Sequence, residues 1–167
     1  MPFFGATGRR YCARTPEMFT GAAKAQMVAQ ITEDIRCICH SMQRADAKLH
    51  LIRNMDRRCM LNNVILGETV ELLGLTSTST TGQLIDYSCG NYRKPEQIFH
   101  IYLEPHTPCL VVQDSEENEV ILPPMAYRVM DKYHDNGIES IVLQALEPLQ
   151  LDALISDSEA VWREGHL

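Results

Sequence analysis

The sequence lacks the features that would place it in a membrane or on a nucleic acid. No apolar run approaches the ~20 residues that a membrane-spanning helix needs. Residues 1–6 hold no apolar core of signal-peptide length. The 15 basic residues are outnumbered by 22 acidic ones, which gives a net charge of −7 at pH 7. Because phosphate backbones are bound by clustered Lys and Arg, this balance predicts no nucleic-acid partner, and the missing run predicts no membrane partner.

Cysteine is sparse as well. The six cysteines are spread widely over 167 residues, unlike the dense disulfide framework of small secreted domains. The stretch Cys37-Ile38-Cys39-His40 lacks the paired C-x₂-C spacing of zinc sites. We therefore expect reduced thiols, a cytoplasmic location and no metal.

What is present is the composition of an ordinary soluble domain. Hydrophobic residues make up 45% of the chain and charged residues 22%, both typical of globular proteins. A chain of 167 residues fits one domain, spanning 1–167. Residues 1–14 are irregular and basic, and we expect them to form a disordered end.

Helices are predicted early in the chain. Thr15-Pro16-Glu17 has the residue types of a helix start, and Gly21 is placed to divide the region into two helices. From Ala22 the apolar residues recur at three- and four-residue steps, the period of an amphipathic helix. They are Met27, Ile31, Ile35, Ile38 and Met42.

The last third of the chain predicts short strands separated by turns rich in Pro, Asn and Gly. Short strands at this spacing favour antiparallel sheets packed as a sandwich. The fold class is therefore α+β, with N-terminal helices packed on a split antiparallel β-sandwich. The expected strands are 98–103, 109–112, 120–122, 127–130 and 140–145.

A segment rich in hydroxyl groups, residues 74–82, lies between glycines near the middle of the chain. β-branched Thr favours an extended conformation there. The period of a strand then puts Ser77 and Ser79 on one face and Thr78 on the other. Such a run also occurs in ordinary edge strands, so its significance depends on its neighbours.

Charged residues end one neighbouring strand and begin another. Residues 49–53 form an apolar segment ending in Arg53, whose guanidinium would bind phosphate in a fork geometry. Glu117 and Glu119 open the segment 117–123, and on a strand both side chains point to one face, ~7 Å apart. Paired carboxylates suit reactions with an oxocarbenium-like transition state. Together these segments predict a phosphorylated glycoside as the ligand; each one alone is more typical of a solvated surface.

In this order the segments resemble the mono-ADP-ribosyltransferases of the arginine–serine–glutamate class, a group with many bacterial toxins. Leu49–Arg53 is similar to the family's apolar strand that ends in the NAD-binding arginine. Residues 66–79 resemble its G-x-x-x…G-F-x-S-T-S stretch, and residues 117–123 resemble its E-x-E followed by an aliphatic strand and proline. The likeness covers about residues 49–145 and implies an ADP-ribosyltransferase-like fold.

The resemblance implies a role for each matching residue. Arg53 would bind the phosphates of NAD, and Ser77 would orient the nicotinamide ribose or the catalytic acid. Glu119 would be the catalytic glutamate, which holds the ribose and stabilises the oxocarbenium ion. Glu117 would activate the acceptor, since E-x-E at this place in the class implies an arginine acceptor.

Further residues fall within the implied NAD site. Thr78 and Ser79 belong to the same motif as Ser77. Asn54 stands where the family usually has a glycine whose backbone approaches nicotinamide. Tyr87 or Tyr92, in the long loop predicted over 82–96, would stack on nicotinamide, with a packing role as the alternative.

We therefore expect an enzyme that transfers ADP-ribose from NAD to an arginine side chain of a target protein and releases nicotinamide. It would act in the cytoplasm, including that of a target cell into which it is secreted or injected as an effector. The residues leave two alternatives open. One is an NAD glycohydrolase, in which water replaces the acceptor, and the other is a non-catalytic α+β interaction module.

Overall fold

The computed structural model describes residues 3–6, 9–12, 22–55, 60–72, 74–81, 95–113 and 118–150. These ranges contain one long helix, α1 (Ala22–Ser41), and otherwise mainly strands. The strands are β1 (Phe3–Ala6), β2 (Arg9–Cys12), β3 (Gln43–Arg44), β4 (Leu49–Met55), β5 (Thr69–Leu72), β6 (Thr76–Ser79), β7 (Gln97–Leu103), β8 (Pro108–Val111), β9 (Glu119–Leu122), β10 (Met125–Asp135) and β11 (Ile138–Pro148).

The strands follow the order β2-β1-β5-β10-β11-β7-β4-β6-β9-β8-β3. Strand β4 pairs with β7 along all seven of its residues. With β6, however, its register is reduced to Ile52 opposite Ser79. The sheet is therefore divided at this point into a larger part, β2 to β4, and a smaller part, β6 to β3.

The hydrophobic core is built from alternate residues of neighbouring strands, as the two-residue period of a strand requires. Burying each large apolar side chain contributes about 1.5–3 kcal/mol. Strands of both parts contribute, so the core holds the two parts of the sheet together. Among its fully buried members are Leu51, Phe99, Ile101, Ile141 and Leu143 from the larger part, and Val120 and Leu122 from the smaller part.

The longest strands, β10 and β11, form a hairpin. Its turn is Asn136-Gly137, and both residues have positive φ, 51° and 79°, which is the conformation that an Asn-Gly hairpin turn favours. The sequence predicts turns rich in Pro, Asn and Gly between the strands, and at Asn136-Gly137 such a turn is confirmed. Both strands are longer than predicted. The exposed residues Asp131–Asp135 at the end of β10 have no apolar pattern, and they are held by backbone pairing with residues 138–142 of β11.

The predicted α+β class is confirmed, and the sheet dominates it. The sheet is not wholly antiparallel, because β11 pairs with β7 in parallel, Glu139 opposite Gln97. Helix α1 begins at Ala22, directly after Gly21, and its half-buried Ile35 and Ile38 belong to the predicted apolar face. The helix start predicted at Thr15 lies outside the described residues.

The expectation of a disordered end over residues 1–14 is wrong for the part that is described. There β1 pairs with β2, and β1 also pairs with β5, Gly5 opposite Glu71 and Ala6 opposite Val70. The partner strand is more than sixty residues away in sequence, so no local pattern in residues 1–14 indicates it. Among the described residues, the only long helix is too polar to span a bilayer.

Candidate functional site

Three of the predicted site residues meet where the two parts of the sheet join. Arg53 comes from β4, the last strand of the larger part, and Ser77 from β6, the first strand of the smaller part. Glu119 is the first residue of β9, the strand next to β6. The division of the sheet thus brings a cation, a hydroxyl and a carboxylate together from segments far apart in the chain.

The Ser77 hydroxyl donates a short hydrogen bond to the Glu119 carboxylate. In the antiparallel pair β6–β9, Glu119 lies opposite Ser79, so Ser77 and Glu119 are diagonal neighbours on one face, within reach of each other. Ser77 is exposed and Glu119 is half-buried. A hydrogen bond to a charged acceptor is stronger than a neutral one, so Ser77 fixes the position of the carboxylate at the surface of the sheet.

Arg53 is bound on two sides. Its Nη1 donates to the backbone carbonyl of Ser77 at 2.7 Å. Its Nε lies 3.2 Å from the sulfur of Met55, two residues along β4 and therefore on the same face. Met55 is almost fully buried and Arg53 half-buried. The guanidinium is consequently held at the end of β6 that carries Ser77, with part of its surface open.

The other face of β6 serves the core. Thr76 and Thr78 are buried there, and the Thr78 hydroxyl donates to the Val120 carbonyl at 2.6 Å. The predicted alternation of Ser77 and Ser79 against Thr78 is therefore present in the fold. The side chain of Thr78 points away from the Ser77–Glu119 face.

The remaining predicted residues differ in how they relate to this site. Ser79 shares the face of Ser77, and its hydroxyl lies 3.1 Å from that of Thr81, within the turn that ends β6. Asn54 is exposed and, one residue after Arg53, lies on the opposite face of β4. Glu117, Tyr87 and Tyr92 lie outside the described residues.

Sequence reasoning missed two residues near the site. Met55 could have been found from the period of two residues in a strand, which places it on the same face as Arg53. Tyr127 had no local signal, because it lies on β10 and is fully buried. Burial raises the pKa of Tyr127 well above its usual range, against the opposing effects of the Arg53 charge and the neighbouring Thr76 hydroxyl. Its hydroxyl has no well-aligned hydrogen-bond partner among the described residues.

The chemistry available at this site is that of fixed charges. A held carboxylate can stabilise positive charge that develops on a bound molecule, and a guanidinium can bind an anion. Across the described ranges, no three His, Cys, Asp or Glu side chains converge in a way that could hold a metal ion.

The arrangement of strands is similar to that of known toxins. Plx2a, an ADP-ribosyltransferase toxin from Paenibacillus larvae, matches with a TM-score of 0.56 at 14% identity, over 71% of this chain and 72% of the toxin. An ADP-ribosyltransferase from Clostridium botulinum matches with a TM-score of 0.55 at 14% identity, over 73% of this chain and 71% of that one.

A third similar structure contains a ligand. A protein from S. aureus, solved with NAD, matches with a TM-score of 0.53 at 13% identity, over 77% of this chain and 73% of that one. No protein-family model and no curated protein sequence matches the chain. At these identities the likeness shows a common fold, and any activity must be argued from the residues of this chain.

Proposed function

We propose that the protein transfers ADP-ribose from NAD to an arginine side chain of a target protein and releases nicotinamide. The observation that carries the proposal is the Ser77–Glu119 hydrogen bond, with Arg53 held on the carbonyl of the same serine. The fold shared with ADP-ribosyltransferase toxins, and with a protein solved with NAD, supports it.

In this proposal Arg53 binds the pyrophosphate of NAD. A guanidinium stays charged at every physiological pH, and its fork of donors matches two phosphate oxygens. Because Arg53 is only half-buried, a ligand can approach the guanidinium from the open side. Bound in this way, NAD would lie across the junction between β4 and β6.

Glu119 acts on the reacting sugar. The bond between the nicotinamide nitrogen and the ribose C1′ breaks, and its electron pair leaves with nicotinamide. The carboxylate stabilises the positive charge that builds up on the ribose, and the Ser77 hydroxyl holds the carboxylate in place. A fixed charge needs no reorganisation as the transition state forms, which is why such a small site is sufficient.

The acceptor is an arginine side chain, in keeping with the sequence Glu117-Asn118-Glu119. A guanidine nitrogen attacks C1′ and forms the new bond, and the proton it loses passes to Glu117 as general base. Asn118, between the two acids, has a positive φ of 48°. This left-handed conformation is one that Asn tolerates better than most residues.

The scattered cysteines bear on the place of action. They are typical of reduced thiols, so we place the protein in the cytoplasm of a cell, including one that it enters as a toxin or effector. The similar protein from Paenibacillus larvae is itself described as a toxin.

The test is incubation with NAD labelled in the adenylate part, together with a cell lysate. We expect label on protein, release of nicotinamide, and ADP-ribose on arginine side chains by peptide mass spectrometry. The Glu119→Gln variant keeps the shape of the side chain and removes its charge, so it gives the background level of protein labelling. Label on a residue type other than arginine would refute arginine as the acceptor, but it would still support transfer of ADP-ribose to protein.

Two other outcomes would support the alternatives. Free ADP-ribose without modified protein would indicate an NAD glycohydrolase. Identical behaviour of the wild type and Glu119→Gln, with no stabilisation of either by NAD in thermal unfolding, would indicate a non-catalytic module.

A further inference from the structure

A row of aromatic side chains lies on the outer face of the larger part of the sheet. This aromatic row consists of His50 from β4, His100 and Tyr102 from β7, and Tyr133 from β10. Tyr102 and Tyr133 each expose 41% of their surface. Because tyrosine is enriched among the residues that contribute most to protein–protein binding, an exposed group of this kind indicates a contact surface.

The aromatic row shares its face with the candidate site. In the register pair that joins the two parts of the sheet, Ile52 lies opposite Ser79, and Ser79 lies opposite Glu119. Residues directly opposite each other on neighbouring strands point to the same face. His50 is two residues from Ile52 and therefore also on that face, with Tyr102 opposite it on β7. One face thus runs from Glu119 across β6 and β4 to the row.

The rings of the row hold one another in place. His50 Nε2 and His100 Nδ1 are 3.1 Å apart, a hydrogen bond in which one imidazole donates and the other accepts. The His50 ring stacks on that of Tyr102, with centroids 4.6 Å apart and planes 5° from parallel. Side chains that are already ordered lose little conformational freedom when a partner binds. The row is therefore a preformed surface.

The row lies close enough to Glu119 to be covered by a protein that is bound there. With strands about 4.8 Å apart and residues about 3.3 Å apart along a strand, His50 is about 12 Å from Glu119 along the sheet, and Tyr102 about 16 Å. A standard interface covers about 800 Å² of each partner, which is a circle of about 16 Å radius. Tyr133, five strands from β9, is about 24 Å away and beyond this circle.

We propose that the aromatic row is the surface on which the target protein docks beside the candidate site. This inference rests on the proposed transfer of ADP-ribose to an arginine of a protein. The acceptor arginine has to reach Glu119 from the face that carries the row. The target then covers His50 and contacts Tyr102, and Tyr133 lies outside the contact.

Charge indicates which kind of target surface fits. The chain has a net charge of −7 at pH 7, and Glu119 lies on the docking face, so a basic surface is attracted and an acidic one repelled. Burial, and after it the charge of His50, lowers the pKa of His100, so this imidazole adds no positive charge at neutral pH. The faces of tyrosine rings also attract Lys and Arg side chains. We therefore expect further basic side chains around the acceptor arginine.

The test compares transfer to protein with transfer to a small acceptor. The wild type and Tyr102→Ala are incubated with labelled NAD and either a cell lysate or free arginine, which is too small to reach the row. Tyr102→Ala should label protein about tenfold less or weaker still, the size of effect seen when one interface hot spot is lost. It should modify free arginine at the rate of the wild type. His50→Ala should behave in the same way, and Tyr133→Ala should lose less.

A matched control is Ile65→Ala. Ile65 is an exposed apolar residue in the turn before β5, five places from β6 in the strand order, and its variant should label protein like the wild type. The His50 variant, at an exposed position, decides the test if Tyr102→Ala fails to fold.

The outcomes separate this inference from the proposed function. Equal labelling of protein by the wild type, Tyr102→Ala and His50→Ala would overturn the docking surface and leave the proposed transfer standing. No labelling of protein by the wild type would overturn both. A wild-type dimer that Tyr102→Ala converts to a monomer in sedimentation would also overturn the docking surface, because the row would then bind a second copy of the chain.

Discussion

The two faces of strand β6 use the same kind of side chain in different ways. On the inner face Thr76 and Thr78 are buried, and Thr78 donates to a backbone carbonyl of β9. On the outer face Ser77 donates to the Glu119 carboxylate of the same strand β9. The inner hydroxyl satisfies the backbone of the fold, and the outer one positions a charge.

This difference explains how four adjacent residues contribute both stability and a site. A buried hydroxyl without a partner costs about 1–3 kcal/mol, so the inner face must pair its hydroxyls or lose stability. The outer face is wet and has no such requirement. The hydrogen bond of Ser77 on that face is not needed to satisfy a buried group, and its effect is to position the Glu119 carboxylate. Substitutions on the two faces should therefore separate activity from stability.

The largest effect is expected for Glu119→Gln. The change keeps the shape and removes the negative charge that would stabilise the ribose cation. We expect NAD turnover to fall about 10²–10³-fold, the size of effect seen when one transition-state contact is removed. NAD consumption by the purified protein measures it. Glu147→Gln, at an exposed position of β11, is the matched control, and an equal loss in both variants would contradict the assignment.

A smaller effect is expected for Ser77→Ala. Loss of a hydrogen bond to a charged group costs about 1.5–3 kcal/mol when the bond acts in the transition state, which corresponds to a fall in turnover of about tenfold or more. The free energy of unfolding should change little, because Ser77 is exposed. Ser79→Ala should lose less than Ser77→Ala, since the Ser79 hydroxyl contacts Thr81.

The control for the serine variants is Ser41→Ala at the end of α1, whose hydroxyl bonds only within the helix end among the described contacts. It should keep the turnover of the wild type. A Ser77→Ala enzyme as active as this control would show that Glu119 does not need the serine.

On the inner face, Thr78→Val should lower stability more than turnover, the opposite of what we expect for Ser77→Ala. The variant keeps the shape and removes the donor to the Val120 carbonyl. We expect a loss of about 1–2 kcal/mol in the free energy of unfolding, measured by urea denaturation. Turnover per folded molecule should fall less than in Ser77→Ala. The reverse pattern, with stability kept and turnover lost, would mean that the two faces do not divide their roles.

The smallest effect, a gain, is expected for Tyr127→Phe. The tyrosine is fully buried, and its hydroxyl has no well-aligned partner among the described residues. Removing an unsatisfied buried hydroxyl should raise the free energy of unfolding by about 1 kcal/mol, again by urea denaturation. A decrease would show that the hydroxyl is bonded, with the Thr76 hydroxyl as the candidate partner.

Local patterns were sufficient for much of the architecture. The period of helix α1, the hydroxyl alternation on β6 and the Asn136-Gly137 turn each depend on neighbouring residues, and all are present in the fold. What local patterns missed depends on distant partners. Strand β1 exists beside β5, and the exposed end of β10 is held by the backbone of β11 rather than by apolar side chains.

The candidate site shows the same limit. The residue types Arg53, Ser77 and Glu119 were picked out from the sequence, together with Ser79 on the face of Ser77. The contact of Arg53 with the Ser77 carbonyl was not predicted, because every residue has a backbone carbonyl and the residue type does not indicate which one accepts a hydrogen bond. Tyr127, at the buried side of the site, was also missed. From the sequence it cannot be distinguished from the other core residues of a strand.

The sequence by itself determined which side chains are available and which face of its strand each one takes, because those depend on a period of two residues. Only the tertiary structure decided that β4 and β6 become neighbours and that the sheet divides between them. Strand pairing is a long-range choice made by the whole core, so the meeting of a guanidinium, a hydroxyl and a carboxylate at that division is a property of the folded chain alone.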